Sequence, residues 1–146
     1  MPRLESPAID AVVARVRATL ADSHPGIAEI FEGCLRNSLD TSITLQPDGT
    51  TFVATGDIPA MWLRDSAAQV RPYVRLAAED AAIRSMLQGL IRRTARNVNL
   101  DPYANAFNME PNGNGHQSDR TEMTQWTWER KWELDSLCYP VQLLRD

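Results

Sequence analysis

At 146 residues and 43% hydrophobic composition, the chain has the length of one globular domain and enough apolar material for a sizeable core, which excludes disorder as its ordinary state. Its net charge of -4 comes from mixed signs without a long run of Lys or Arg, so the electrostatic footprint of a nucleic-acid binder is missing and a neutral, water-soluble ligand fits better. No segment approaches the roughly 18 apolar residues of a membrane span, and Arg3, Glu5, Asp10, Arg15 and Arg17 interrupt the apolar pattern a signal peptide would need, which makes the cytoplasm the default location.

Ile9, Val12, Val13, Val16 and Leu20 recur at helical spacing, with Ser6 placed as N-cap and Pro7 at the first helical position. A second helix opens at Pro25 and carries Ile27, Ile30, Phe31, Cys34, Leu35 and Leu39 on its apolar face, and the two read as an antiparallel pair. Between residues 41 and 55 the pattern changes to alternation around Ile43 and Leu45, turn chemistry at Pro47-Asp48-Gly49 and a β-favouring Thr51-Phe52-Val53, which predicts a short hairpin. The Gly/Pro-interrupted stretch 56–63 leads into a third helix near Asp65, where Ser66 and Gln69 have capping-box spacing and Pro72 should distort the later turns.

A fourth helix follows Glu79-Asp80, with Ile83, Met86, Leu87, Leu90 and Ile91 on one face and Arg84, Arg92, Arg93 and Arg96 among the solvated positions. Residues 97–128 show no sustained period and read as one long Asn/Gly-rich loop of the kind that tends to be functional. A fifth helix begins near residues 131–133 and places Leu134, Leu137, Cys138, Val141 and Leu144 on its apolar face, with Pro140 inside it. Nothing about the spacing of Cys34 and Cys138 suggests a zinc site or a CxxC pair, and both read as small core residues. No C-terminal stop signal follows the last apolar position, so the chain is expected to be part of a larger architecture.

Two blocks concentrate chemistry. In GDIPAMWLRDS, residues 56–66, Trp62, Arg64 and Asp65 stand at a loop-to-helix junction, offering an aromatic surface for a sugar ring and charged groups for its hydroxyls. The plainer alternative is that Asp65 caps, Trp62 packs and Arg64 balances a carboxylate. In ERKWELDSLCYP, residues 129–140, Trp132, Glu133 and Asp135 stand at a second such junction, preceded by Trp126 and Trp128; the alternative is an aromatic core patch with solvated carboxylates. Glu133 and Asp135 at i and i+2 do not face each other on a helix, so they are not both assigned as an acid and base pair. The loop between the blocks lacks the Lys-Ser or Lys-Thr of a phosphate loop, and His116 has no second His at metal-ligand spacing. Neither a metal nor a cofactor is expected, and Asn112 and His116 are candidates for reaching hydroxyls from a loop folded over a pocket.

Taken together and in this order, GDIPAMWLRDS and KWELDSLCYP resemble glycoside hydrolase family 125. The resemblance implies an all-α (α/α)6 barrel and hydrolysis of terminal α-1,6-linked mannose with inversion, without a metal, on a mannose-containing oligosaccharide. The Trp-Leu-Arg-Asp-Ser string also resembles glucoamylase-like barrel glycosidases, which implies that Arg64 and Asp65 grip hydroxyls of the terminal sugar. Twelve helices at about 11 to 12 residues need roughly 140 residues before any connection is counted. The chain, with about five, is therefore expected to be a single incomplete catalytic domain over residues 1–146, the N-terminal part of such a barrel with a short β-hairpin insertion. An inverting glycosidase separates its acid and base by about 6.5 to 9.5 Å; the resemblance implies that both lie beyond Asp146, leaving the chain alone inactive. Two rivals stand beside this reading: a non-catalytic helical module that binds sugar or protein, and a related (α/α)6 exo-glucosidase.

Overall fold

The computed structural model of the chain describes residues 4–146; Arg3, counted above among the charges of the first segment, lies outside them. Helix α1 spans Pro7–Leu20, and the Ser6 hydroxyl accepts from the Ile9 amide at 3.2 Å, the cap its sequence predicts. Helix α2, Pro25–Asn37, returns antiparallel to it, with Arg36 paired to Asp10 and Arg17 to Glu32. The expected apolar face of α2 is only partly used: Leu35 packs on the core and Phe31 is half-buried, while Ile27, Ile30 and Cys34 are exposed. A π-helical turn, Ser38–Ser42, buries Leu39 and delivers the chain into the hairpin.

Strands β1, Ile43–Leu45, and β2, Thr51–Val53, pair antiparallel as expected. Asp48 organises the turn by accepting from the Thr50 amide at 2.9 Å and its hydroxyl at 2.6 Å. Behind β2 runs α4, Ala81–Leu100, and the approach is close enough that a Cβ on Gly89 would sit 2.4 Å from the Thr51 hydroxyl. Only glycine fits there. Asp80 caps α4 through Oδ1, at 2.9 Å from the Ala82 amide and 3.0 Å from that of Ile83, while its Oδ2 accepts from the Ser6 hydroxyl at 2.7 Å. One buried carboxylate thus ties the N-termini of α1 and α4 together.

Between hairpin and α4 lies α3, Leu63–Val70, which starts two residues earlier than expected and has no side-chain cap. Ser66 is fully buried and donates to the Leu63 carbonyl at 3.2 Å, so the expected capping box does not form. Pro72 has the expected effect, converting the continuation into a 3-10 helix, Arg71–Leu76. The largest departure on α4 is Arg93, expected in solvent but 2% exposed. Its guanidinium lies over the Phe52 ring and its Nη2 donates to the carbonyls of Asn108, at 3.1 Å, and Met109, so backbone oxygens replace water at that end, while its Nε is buried without an acceptor. Burial pushes the Arg93 pKa down.

The segment expected as one long loop is more ordered. After α4 runs on to Leu100, strands β4, Ala106–Phe107, and β5, Thr127–Glu129, form with β3, Met61–Trp62, a three-stranded antiparallel sheet in the order β3-β4-β5. Helix α5, Leu134–Arg145, carries Pro140 internally and packs on α3. Its buried side is Ser136 and Leu143 with Tyr139 partly covered, not the expected stripe: Leu134, Cys138, Val141 and Leu144 face outward. Both cysteines are exposed free thiols rather than core residues. The main core gathers Ile9, Phe52, Val53, Val70, Ile83, Met86 and Leu90 from α1, β2, α3 and α4. The fold is therefore mostly helical with two small antiparallel sheets.

Candidate functional site

The three-stranded sheet explains why two distant sequence blocks meet. Met61 pairs with Phe107 and Trp62 with Ala106, while Ala106 pairs with Glu129, so the C-terminal end of β3 and that of β5 flank β4. The Leu63 amide donates to the Asn105 carbonyl at 3.0 Å, fixing the first residue of α3 to the same sheet. Arg64 and Asp65 follow directly in the first turn of α3, and Glu133 and Asp135 lie at the start of α5 beside them.

Arg64 is the centre of the first cluster. Its Nη1 donates to Asp135 Oδ2 at 2.8 Å and lies 3.5 Å from Glu133 Oε2, and its Nε lies 3.6 Å from Asp65 Oδ2. The Asp135 hydrogen bond, with the surrounding carboxylates, raises the Arg64 pKa, and the bond from Arg64 holds Asp135 below the usual carboxylate range. Glu133 and Asp135, two positions apart, both reach Arg64 because Glu133 is the extended cap residue and not part of the helix. Asp65 Oδ2 is shielded from solvent and has no hydrogen-bond donor. The cluster is otherwise half-exposed, and Trp132 beside it is 59% exposed.

A second cluster brings the expected Trp62 and His116 together around Glu129, which the sequence does not single out and which is 7% exposed. Its Oε2 accepts from Trp62 Nε1 at 3.1 Å and from Asn105 Nδ2 at 2.8 Å; its Oε1 accepts from Lys131 Nζ at 2.5 Å and lies 3.4 Å from His116 Nδ1. Burial alone would push the Glu129 carboxyl up, but the bonds from Lys131, Asn105 and Trp62 outweigh it and the net direction is down. No local signal marks it: alternation in Thr127-Trp128-Glu129-Arg130 would turn the apolar Trp128 inward and Glu129 outward, the reverse of the observed burial.

Other expected residues are placed less centrally. His116 is held over β5 by its own amide, which donates to the Trp128 carbonyl at 2.8 Å, and by Gly115, whose φ of +109° and 2.3 Å approach of a would-be Cβ to the Trp128 oxygen exclude any side chain. Asn112 is spent on a local turn, its Oδ1 accepting from the Asn114 amide at 2.9 Å. Trp126 stacks under Arg96 at 4.4 Å as a packing residue, and the Trp128 Nε1 is buried without an acceptor. The clusters lie apart from an apolar groove of about 390 Å³ between α4 and α5, lined by Ile91, Val98, Leu137 and Leu144. Among the described residues no group of three or more His, Cys, Asp or Glu could hold a metal ion, and no helix is long and apolar enough to cross a membrane.

A family model described as metal-independent alpha-mannosidase (GH125) matches residues 24–146, which span all of the residues in both clusters. The chain belongs to this family. The GH125 chain is 37% identical over 151 residues to the meiotically up-regulated gene 157 protein of Schizosaccharomyces pombe, covering 94% of the chain and 29% of that protein. It is also similar to the solved structure of a metal-independent α-mannosidase from Streptococcus pneumoniae in a non-productive complex with α-1,6-mannobiose. That match has 45% identity and a TM-score of 0.91, over 97% of the chain and 33% of the pneumococcal one. The GH125 chain thus spans about a third of the length of either relative.

Proposed function

We propose that the chain supplies one wall of the sugar pocket of an exo-acting α-mannosidase that hydrolyses terminal α-1,6-linked mannose with inversion. In this reading it is the N-terminal part of a single catalytic domain shaped as an (α/α)6 barrel. The observation that carries the proposal is the Arg64 cluster: a forked donor ringed by Asp65, Glu133 and Asp135, all four side chains partly open to solvent. A mannose hydroxyl is both donor and acceptor, so it can donate to Asp65 and accept from Arg64 at once. A site built this way discriminates strongly against ligands without the hydroxyl. Trp62 and Trp132 supply apolar surface for the ring, His116 reaches in from the loop above β5, and Asn112 contributes by holding that loop's shape.

The acid and base are proposed to come from sequence beyond Asp146, so that the chain alone is inactive. An inverting acid needs a raised pKa and an uncommitted proton. The two carboxyls of these clusters whose pKa is displaced, Glu129 and Asp135, both go down, and both are already hydrogen-bonded to cations. Neither suits the role of acid. The test compares this chain with a form extended to its relatives' length on α-1,6-mannobiose, following mannose and its anomeric form by NMR. Release of β-mannose by the long form alone is expected. Release by the short chain would make Glu133 and Asp135 the leading catalytic candidates, and no release by either form would overturn the mannosidase reading.

A further inference from the structure

The Glu129 cluster is built with more care than a surface charge pair needs. Its carboxylate is buried, and the four groups around it come from four separate segments: Trp62 from the end of β3, Asn105 from before β4, Lys131 from after β5 and His116 from the loop. Asn105 doubles the link, donating through its amide nitrogen to the Glu129 carbonyl at 3.2 Å and accepting at Oδ1 from the Lys131 amide at 3.1 Å. Both donors on Oε2 serve the β3–α3 junction, because Asn105 also receives the Leu63 amide.

We infer that Glu129 is a positioning residue that acts through Trp62, fixing the indole beside Arg64 and Asp65 so that it stands ready as the platform for the sugar ring. This rests on the sugar-binding role proposed above. An indole has two rotatable side-chain torsions, and anchoring its only polar atom to a buried carboxylate removes that freedom before any ligand arrives. The anchor is specific to Oε2. Lys131 and His116 sit on the other oxygen, so charge neutralisation and indole positioning are separable by substitution.

Glu129→Gln keeps one oxygen for Trp62 and Asn105 and turns an amide toward Lys131 and His116, whereas Glu129→Ala removes both functions. In the form extended to the relatives' length, Glu129→Ala is expected to raise KM for α-1,6-mannobiose about tenfold with kcat within about twofold, the signature of lost binding shared by ground and transition states. Glu129→Gln is expected to restore KM to within about twofold of the parent, and Glu129→Ala is expected to add less than about twofold in a Trp62→Phe background, since the shared function is already gone. Multiplying effects, or a loss in kcat alone, would overturn the inference. If Glu129→Ala fails to fold, Glu129→Gln decides: a KM as high as that of Trp62→Phe means the charge and not the indole anchor matters. An independent readout is the Trp62 indole N–H resonance in 15N-labelled protein, identified by its loss in Trp62→Phe. Slow solvent exchange in the parent and Glu129→Gln is expected; fast exchange in the parent would sink the anchor whether or not the protein cleaves mannosides. An inactive extended parent with a slowly exchanging indole would instead remove the mannosidase reading and leave the anchor standing.

Discussion

Glu129 and Arg64 are both ionised groups surrounded by partners, but they sit in opposite situations. Glu129 is buried, each of its oxygens has its own set of partners, and those partners come from the sheet that builds the junction and the segments flanking it. Arg64 is half-exposed, its three carboxylates lie at 2.8 to 3.6 Å, and one Asp65 oxygen has no donor at all. Exchanging a partner of Glu129 would strand a desolvated group, whereas at Arg64 it costs little because water and ligand hydroxyls can replace the ion pairs. The molecule therefore separates a fixed frame from an exchangeable surface within a few residues of sequence, Trp62 belonging to the frame and Arg64 to the surface.

The frame should break most severely where it has no slack. Gly115→Ala demands a side chain at φ +109° and a Cβ 2.3 Å from the Trp128 carbonyl oxygen, so the loop carrying His116 must peel from β5. A loss of about 3 kcal/mol is expected, read from the urea midpoint. Gly113→Ala sharpens the comparison, since Gly113 also has a positive φ but open space around it; strain alone should cost about 1 kcal/mol. Equal losses would mean that the contact with Trp128 does not hold the frame.

Asp80 offers a second buried carboxylate away from the site, with an intermediate effect. Asp80→Ala removes the α4 cap and the partner of the Ser6 hydroxyl, and should cost about 1 to 2 kcal/mol. The Ser6 hydrogen bond, then those from the Ile83, Ala8 and Ala82 amides, hold its pKa below the usual carboxylate range against a smaller cost of burial. Because the folded pKa is the lower one, this stabilisation is present in full above the unfolded value of about 3.9 and is lost as pH falls through the folded value. Asp80→Asn, which keeps a capping oxygen, should therefore flatten the fall in stability below about pH 4. An unchanged acid limb would assign that fall to Glu129 and the other depressed carboxyls.

How much of this was legible follows the same division. Ser6, Pro7 and the α4 face were readable because helix caps and periodicity are local, and the Pro47-Asp48-Gly49 turn announced the hairpin. Strands β4 and β5 were not, since two or three residues carry no period of their own and exist only by pairing with β3. Arg93 looked like a solvated helix position because nothing local reveals that the Asn108 and Met109 carbonyls will turn toward it. The stripe on α5 was read as core on the rule that apolar faces pack inward, but within this chain α3 takes the Ser136 and Leu143 side instead. Of the site, Arg64, Asp65, Glu133 and Asp135 were singled out from two blocks that the fold brings together. Glu129 was passed over because a carboxylate in a Trp/Arg-rich stretch gives no hint of burial.

The smallest effect on stability is expected where the proposed effect on function is large. Arg64→Ala removes ion pairs that are about a third exposed on the arginine side, and such pairs contribute no more than about 1 kcal/mol once solvent screening is counted. The urea midpoint should hardly move, and raising the salt concentration should change the parent little more than the variant. Mannobiose turnover by the extended form should nonetheless fall about a hundredfold, because losing the forked donor misplaces the hydroxyl against Asp65 and with it the scissile bond. Arg64→Lys separates charge from shape: a point charge restores the attraction for three carboxylates but cannot present two parallel donors. If Lys rescues turnover, Arg64 only balances its carboxylates, as the plainer sequence reading allowed. If it leaves turnover low while stability stays at the parent's level, the fork itself is what the sugar reads.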